Sequence, residues 1–208
     1  MSGSGRVDLA LVLAIDGSAS VSFEHFGLIA GGTASALRDP AVMRGLLSGR
    51  HHACMLSLLL WSGADQQDII TPWTRITSDA DLLAFAQEVD NMPRTVQAGK
   101  TAIGEALLAA LTMLAHMPAA ADRAVVDVAG DGRSNDGIDP QPIRDRMVAA
   151  DITINGLCVL REEPDLLSYY TEAVIGGPNH FAVTCASYDD FTEAMRRKLL
   201  REATGLVV

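Results

Sequence analysis

Asp16, Ser18 and Ser20 occupy alternate positions in Asp16-Gly17-Ser18-Ala19-Ser20, directly after the apolar stretch Leu9 to Ile15. One carboxylate and two hydroxyls form an oxygen-only donor set, which suits Mg²⁺, Mn²⁺ or Ca²⁺ rather than zinc or copper. In an extended segment, side chains at i, i+2 and i+4 share a side, so the spacing predicts three oxygens turned toward one point. A single carboxylate does not neutralise a divalent ion, so further oxygens are expected from elsewhere. Thr101 follows Gly99-Lys100 and opens an Ala/Leu-rich helical segment, which places a third hydroxyl near a first helical turn. Asp131 follows Gly130 at the end of the apolar run Ala124 to Ala129 and adds a second carboxylate. The candidate metal ligands are therefore Asp16, Ser18, Ser20, Thr101 and Asp131. Taken singly, each has a plainer reading: Asp-Gly-Ser-Ala-Ser as a turn that caps the next helix, and Thr101 as a helix cap.

These residues need elements to hold them. Val7 to Ile15 reads as a fully buried strand, and Phe23 to Leu37 carries its apolar residues at a helical period. Cys54–Trp61 and Asp68–Trp73 are two further strands joined by a hairpin turn at Ser62-Gly63-Ala64-Asp65, so the third strand is expected to run antiparallel at an edge. Ser78 with Asp81 caps a helix through Val89. Thr101 to Met117 is a helix stopped by Pro118, Ala124 to Ala129 a strand and Pro140 to Ala150 a helix. Ile152 to Leu160 is a strand, Pro164 to Val174 a helix, His180 to Val183 a short strand, and Tyr188 to Glu202 a closing amphipathic helix. Strands alternating with helices predict a doubly wound α/β domain with a mainly parallel sheet covered on both faces. In such sheets ligands collect at the carboxyl ends of strands, where Asp16 and Asp131 lie.

The 208 residues suit one domain, taken as 7–208, and the start Met1-Ser2-Gly3-Ser4-Gly5 reads as a cloning scar within 1–6. With 16 basic and 26 acidic residues the formal charge is −10, which disfavours nucleic acid and anionic membranes and mildly favours cations. No apolar run approaches the roughly 20 residues of a membrane span. Cys54, Cys158 and Cys185 sit in or beside apolar runs without metal-ligand spacing and read as buried free thiols.

Other chemistries fit less well. Gly99-Lys100-Thr101 matches the tail of a phosphate-binding loop, but Arg94 stands where its first glycine belongs and no apolar strand leads into it. In Asp131 to Asp139, Arg133 occupies an early ligand position of a calcium loop and Asp136 replaces its turn glycine, so Asp136-Gly137 reads as a tight turn. His51-His52 leads into a strand, where alternation would send the rings to opposite faces. His25, His116 and His180 are isolated, and Trp61 and Trp73 read as core side chains. No nucleophile elbow or Ser/His/Asp arrangement is visible, so an enzyme is not expected.

The ordered set Asp16-x-Ser18-x-Ser20, then Gly99-x-Thr101-x-x-Gly104-x-Ala106-Leu107, then Gly130-Asp131-Gly132 resembles the von Willebrand factor A (vWA) domain with its metal-ion-dependent adhesion site. Val7-Asp8-Leu9-Ala10-Leu11-Val12-Leu13, with Trp61-Ser62-Gly63 and Pro72-Trp73, is similar to the bacterial DUF1194 branch. The resemblance implies a Rossmann-like fold with six strands in the order 3-2-1-4-5-6 and strand 3 antiparallel. It implies that Ser18, Ser20 and Thr101 contact the cation closely while Asp16 and Asp131 act directly or through water. One coordination position would stay open for an Asp or Glu of a protein partner. The expected function is thus cation-dependent protein binding with Mg²⁺ as cofactor, Mn²⁺ or Ca²⁺ as alternatives, and a last helix that shifts with ligand state. The alternatives are a metal-dependent phosphohydrolase, although Ser18 stands where a second Asp would be needed, and a structural domain with a non-functional site. The same resemblance implies export to the periplasm or beyond, with the cytoplasm as the alternative.

Overall fold

The computed structural model describes residues 5–205. Leu9, Leu11, Leu13 and Ile15 of β1 (Val7–Asp16) face one apolar cluster, while Val12 and Ala14 face another, so this strand is buried on both sides. That two-sided burial explains its unbroken apolar run. The first cluster is completed by α1 (Phe23–Leu37), α3 (Asp79–Asp90) and α7 (Phe191–Thr204). The second is completed by α4 (Ile103–Ala115), α5 (Pro140–Ala149) and the segment from Leu166 to Ile175.

Six strands form one sheet in the order β3-β2-β1-β4-β5-β6. The flanking strands are β2 (Cys54–Trp61), β3 (Gln67–Ile76), β4 (Ala121–Gly130), β5 (Ile152–Val159) and β6 (Ala182–Cys185). All neighbours pair in parallel except β2 and β3, which are antiparallel as the hairpin reading requires. Pro72 is tolerated because β3 is an edge strand. After β1 the chain moves toward β2, and after β4 it moves toward β5. The carboxyl ends of β1 and β4 therefore open the crevice that such a reversal creates.

Several boundaries differ from expectation for identifiable reasons. A short helix α2 (Pro40–Leu46) was not anticipated, because seven residues show no usable periodicity; its start is nonetheless written in Asp39-Pro40, with Asp39 accepting from the Ala41 and Val42 amides at 2.8 and 3.2 Å. The sixth strand begins at Ala182, not His180, because Gly177 and Asn179 take positive φ and the Phe181 amide bonds to the Asn155 side chain at 3.0 Å. The Pro164–Val174 helix is a four-residue α-turn, α6 (Leu166–Tyr169), continued by a π-turn over Tyr170–Val174. The closing helix starts at Phe191 after a 3-10 turn over Tyr188–Asp190. All three cysteines are buried and free. Residues 1–4 of the presumed scar lie outside the described residues.

Candidate metal centre

β1 delivers Asp16 at its last position, and the chain then turns. The Ser18 amide donates to Asp16 Oδ1 at 2.7 Å and the Val21 amide to the Ser18 carbonyl at 3.1 Å. The three side chains of the first loop therefore converge through an Asx-type turn, not through the strand alternation expected from the spacing. Ser18 Oγ and Ser20 Oγ are 3.1 Å apart, and Ser20 Oγ donates to Asp131 Oδ1 at 2.7 Å. That bond joins the loop after β1 to the loop after β4.

Thr101 corrects a second expectation. It precedes α4 by two residues, and the cap position, Ala102, makes no side-chain capping bond, so Thr101 is neither in the helix nor its cap. A reciprocal pair with Asn135 fixes it instead: the Thr101 amide donates to Asn135 Oδ1, and the Asn135 amide donates to the Thr101 carbonyl, both at 2.9 Å. Its Oγ1 lies 4.0 Å from where a Cβ on Gly132 would stand, beside the Asp131 loop. The structure thus gathers all five candidate residues at the carboxyl ends of β1 and β4, from three loops. Asp16, Ser18, Thr101 and Asp131 are buried, and Ser20 is exposed.

The loops are braced by groups that the sequence did not single out for this role. Arg94 Nη2 donates to the Gly17 and Ser18 carbonyls at 2.8 and 2.7 Å. The Ala19 amide donates to the Gly99 carbonyl at 2.8 Å, tying the first loop to the second. Ser62, at the end of β2, accepts from the Gly99 amide on Oγ at 3.0 Å and from the Ala102 amide on its carbonyl at 2.9 Å. Asp139 caps α5 through the Gln141 amide, and Asp136 accepts from the Ala64 amide at 3.0 Å with Lys100 Nζ at 3.6 Å.

Burial pushes the Asp16 carboxyl up to about 7, and the neighbouring Asp131 charge adds to the rise. Asp16 Oδ2 has no hydrogen-bond partner although the residue is completely buried. A buried, unpaired carboxylate oxygen beside a second carboxylate is costly in an isolated protein. A divalent cation reverses that cost, so the donor set fits the metal that the motif implies.

A different potential ligand group lies at the opposite end of β1. Asp8, His51 and Asp122 bring one ligand atom each within 4.8 Å of one another. His51 and His52 sit in a turn before β2, with φ positive at His52, so the alternation argument does not apply to them. Here the carboxylates are already engaged: Asp122 pairs with Arg6 and with Arg50 at 3.4 Å, and Asp8 accepts from the His51 amide at 2.9 Å.

The family model described as "Protein of unknown function (DUF1194)" matches residues 6–207. The chain belongs to the DUF1194 family. Among curated proteins, no match to this DUF1194 protein was found. Among solved structures, it is similar to proximal thread matrix protein 1 from the mussel byssus with a zinc-occupied metal-ion-dependent adhesion site motif, at 16% identity and a TM-score of 0.68, over 95% of this chain and 48% of that one. A von Willebrand factor type A protein from Catenulispora acidiphila gives 16% identity and a TM-score of 0.65, over 97% and 44%. The vWF domain of the type V pili tip protein Mfa5 from Porphyromonas gingivalis gives 10% and 0.63, over 97% of each chain. The DUF1194 chain spans about half the length of the byssus protein. At these identities the likeness establishes the fold: that of a vWA domain.

Proposed function

We propose that this DUF1194 protein is a divalent-cation-dependent protein-binding module and not an enzyme. Asp16, Ser18, Ser20, Thr101 and Asp131 would hold Mg²⁺, which when bound supplies an open coordination position for a carboxylate oxygen of a partner's Asp or Glu. The observation that carries this reading is Asp16 Oδ2, completely buried, without a partner, and beside a second carboxylate. The all-oxygen set favours Mg²⁺ or Mn²⁺ over the zinc found in the byssus protein. Three neutral hydroxyls and two carboxylates leave the ion electrophilic enough to take an outside carboxylate in place of water.

The residues of the chain divide the work. Ser20 couples the two loops through Asp131, Asn135 sets the Thr101 backbone, and Arg94 holds the backbone of the first loop. A pilus tip protein and a byssus thread protein share the fold, which supports an exported interaction role. The test is capture of a partner from native extract with Mg²⁺ and with EDTA in parallel, alongside calorimetric Mg²⁺ titration. Partner capture that EDTA abolishes is expected, and capture unaffected by chelation overturns the reading.

A further inference from the structure

The ring of Tyr170 lies in a slot left by two glycines. A Cβ on Gly156 of β5 would stand 2.8 Å from Tyr170 Cδ1, and a Cβ on Gly130, at the end of β4, would stand 2.8 Å from the Tyr170 hydroxyl. Because Gly156 pairs with Val128 and Gly130 with Cys158, the ring runs along the sheet toward its carboxyl end, with the hydroxyl leading. At that same Gly130 position, the would-be Cβ is 3.1 Å from Asp16 Oδ2. Asp16 shares the sheet face of Val12 and Ala14, which pack in the cluster that contains Tyr170.

Two unmet groups of complementary kind therefore flank one glycine. The Tyr170 hydroxyl and Asp16 Oδ2 both lack hydrogen-bond partners, and both residues are completely buried. A buried hydroxyl with nothing to bond to is destabilising, so for packing alone phenylalanine would serve at least as well as Tyr170. Tyr170 also opens the π-turn, with the Ile175 amide donating to its carbonyl at 2.8 Å. Such turns are rare and cluster at functional sites, and this one begins at Tyr170.

We propose that Tyr170 is a positioning residue of the metal centre: unpartnered in the metal-free chain, its hydroxyl would donate toward Asp16 Oδ2 through one water once a cation is bound, and so hold that carboxylate for ligation. This rests on the metal reading given above. Groups that orient a ligating side chain typically change metal affinity by about 10- to 100-fold when removed. Gly130 leaves room for both atoms, since a Cβ there would crowd the hydroxyl and the carboxylate oxygen alike.

The experiment compares the wild-type protein with Tyr170→Phe, measuring Mn²⁺ affinity by electron paramagnetic resonance titration and thermal unfolding in EDTA. The expected result is a split: Mn²⁺ affinity weaker by about 10- to 100-fold, with a metal-free melting temperature equal to or above wild type because a buried unpaired hydroxyl has gone. Equal Mn²⁺ affinities overturn the role of Tyr170 while leaving the metal site standing. Weaker affinity accompanied by a lower melting temperature in EDTA assigns the effect to packing and also overturns it. Failure of the wild-type protein to take up Mn²⁺ overturns the metal reading and this one with it.

Discussion

Arg94 is not among the candidate ligands, yet it braces the loop that carries Asp16, Ser18 and Ser20. Its Nη2 reaches the carbonyls of both Gly17 and Ser18, and its guanidinium stands 5.8 Å from the Phe26 ring centroid, at the edge of the core. Arg94→Ala is expected to weaken Mg²⁺ binding by about tenfold through loss of loop order, read by calorimetry, with the fold intact by circular dichroism. For the ligands the expectation is stricter: Asp16→Ala or Asp131→Ala abolishes the Mg²⁺-induced rise in melting temperature. Asp16 and Asp131 stood out in the sequence as candidates because a carboxylate after a buried strand is conspicuous. Arg94 was not, because one arginine in a polar loop looks like any other.

At the scale of elements, α7 is joined to the sheet by charge as well as apolar packing. Lys198 Nζ lies 2.6 Å from Asp127 Oδ1 on β4 and 2.5 Å from Glu202 Oε1, and all three residues are buried. Asn155 Nδ2 donates to the same Glu202 oxygen at 3.0 Å. Two carboxylates face one ammonium, so burial, with Glu202 reinforcing it, raises the Asp127 pKa to about 7. Burial alone would lower Lys198, but the two carboxylates hold it above its usual value. A raised carboxyl pKa means the folded state binds the extra proton. Its stabilising contribution is complete below about 4, the ordinary pKa, and is lost as pH rises through about 7. Asp127→Asn mimics the protonated acid and is expected to flatten the pH dependence of stability between about 4 and 7 relative to wild type, measured by urea unfolding in EDTA. Lys198→Met leaves two buried carboxylates without a counter-charge and is expected to cost about 3–5 kcal/mol in the same measurement at pH 8. On α4 the constraint is steric: a Cβ on Gly104 would stand 2.2 Å from the Ile138 carbonyl, so Gly104→Ala is expected to destabilise by about 1–3 kcal/mol.

For the molecule as a whole, binding of a cation at this site would be coupled to folding. Three loops that belong to β1, to the start of α4 and to β4 meet only in the folded chain, so a cation held there stabilises the native state by mass action. At a Mg²⁺ concentration 100 times Kd the gain is about 2.7 kcal/mol. In a domain of this size that raises the melting temperature by about 5–10 °C. Calorimetry in Mg²⁺ and in EDTA reads it directly, and no shift at saturating Mg²⁺ contradicts a native-state metal site. The formal charge of −10 acts in the same direction, because an acidic fold gains from a bound cation.

The sequence by itself determined the strand order along the chain, every helix but the short α2 and the antiparallel edge strand, and it named Asp16, Ser18, Ser20, Thr101 and Asp131 as candidate oxygen donors. Burial leaves a periodic trace in each segment, and the D-x-S-x-S, Thr and Asp pieces carry their chemistry in their own atoms. Only the tertiary structure decided how those atoms are held. It placed Thr101 outside the helix on Asn135, closed the first loop as an Asx-type turn, and laid Tyr170 over two glycines toward Asp16. The Thr101–Asn135 pair and the Tyr170 slot join segments far apart in the chain. They follow no period, so they come into being only when the sheet brings the strand ends together.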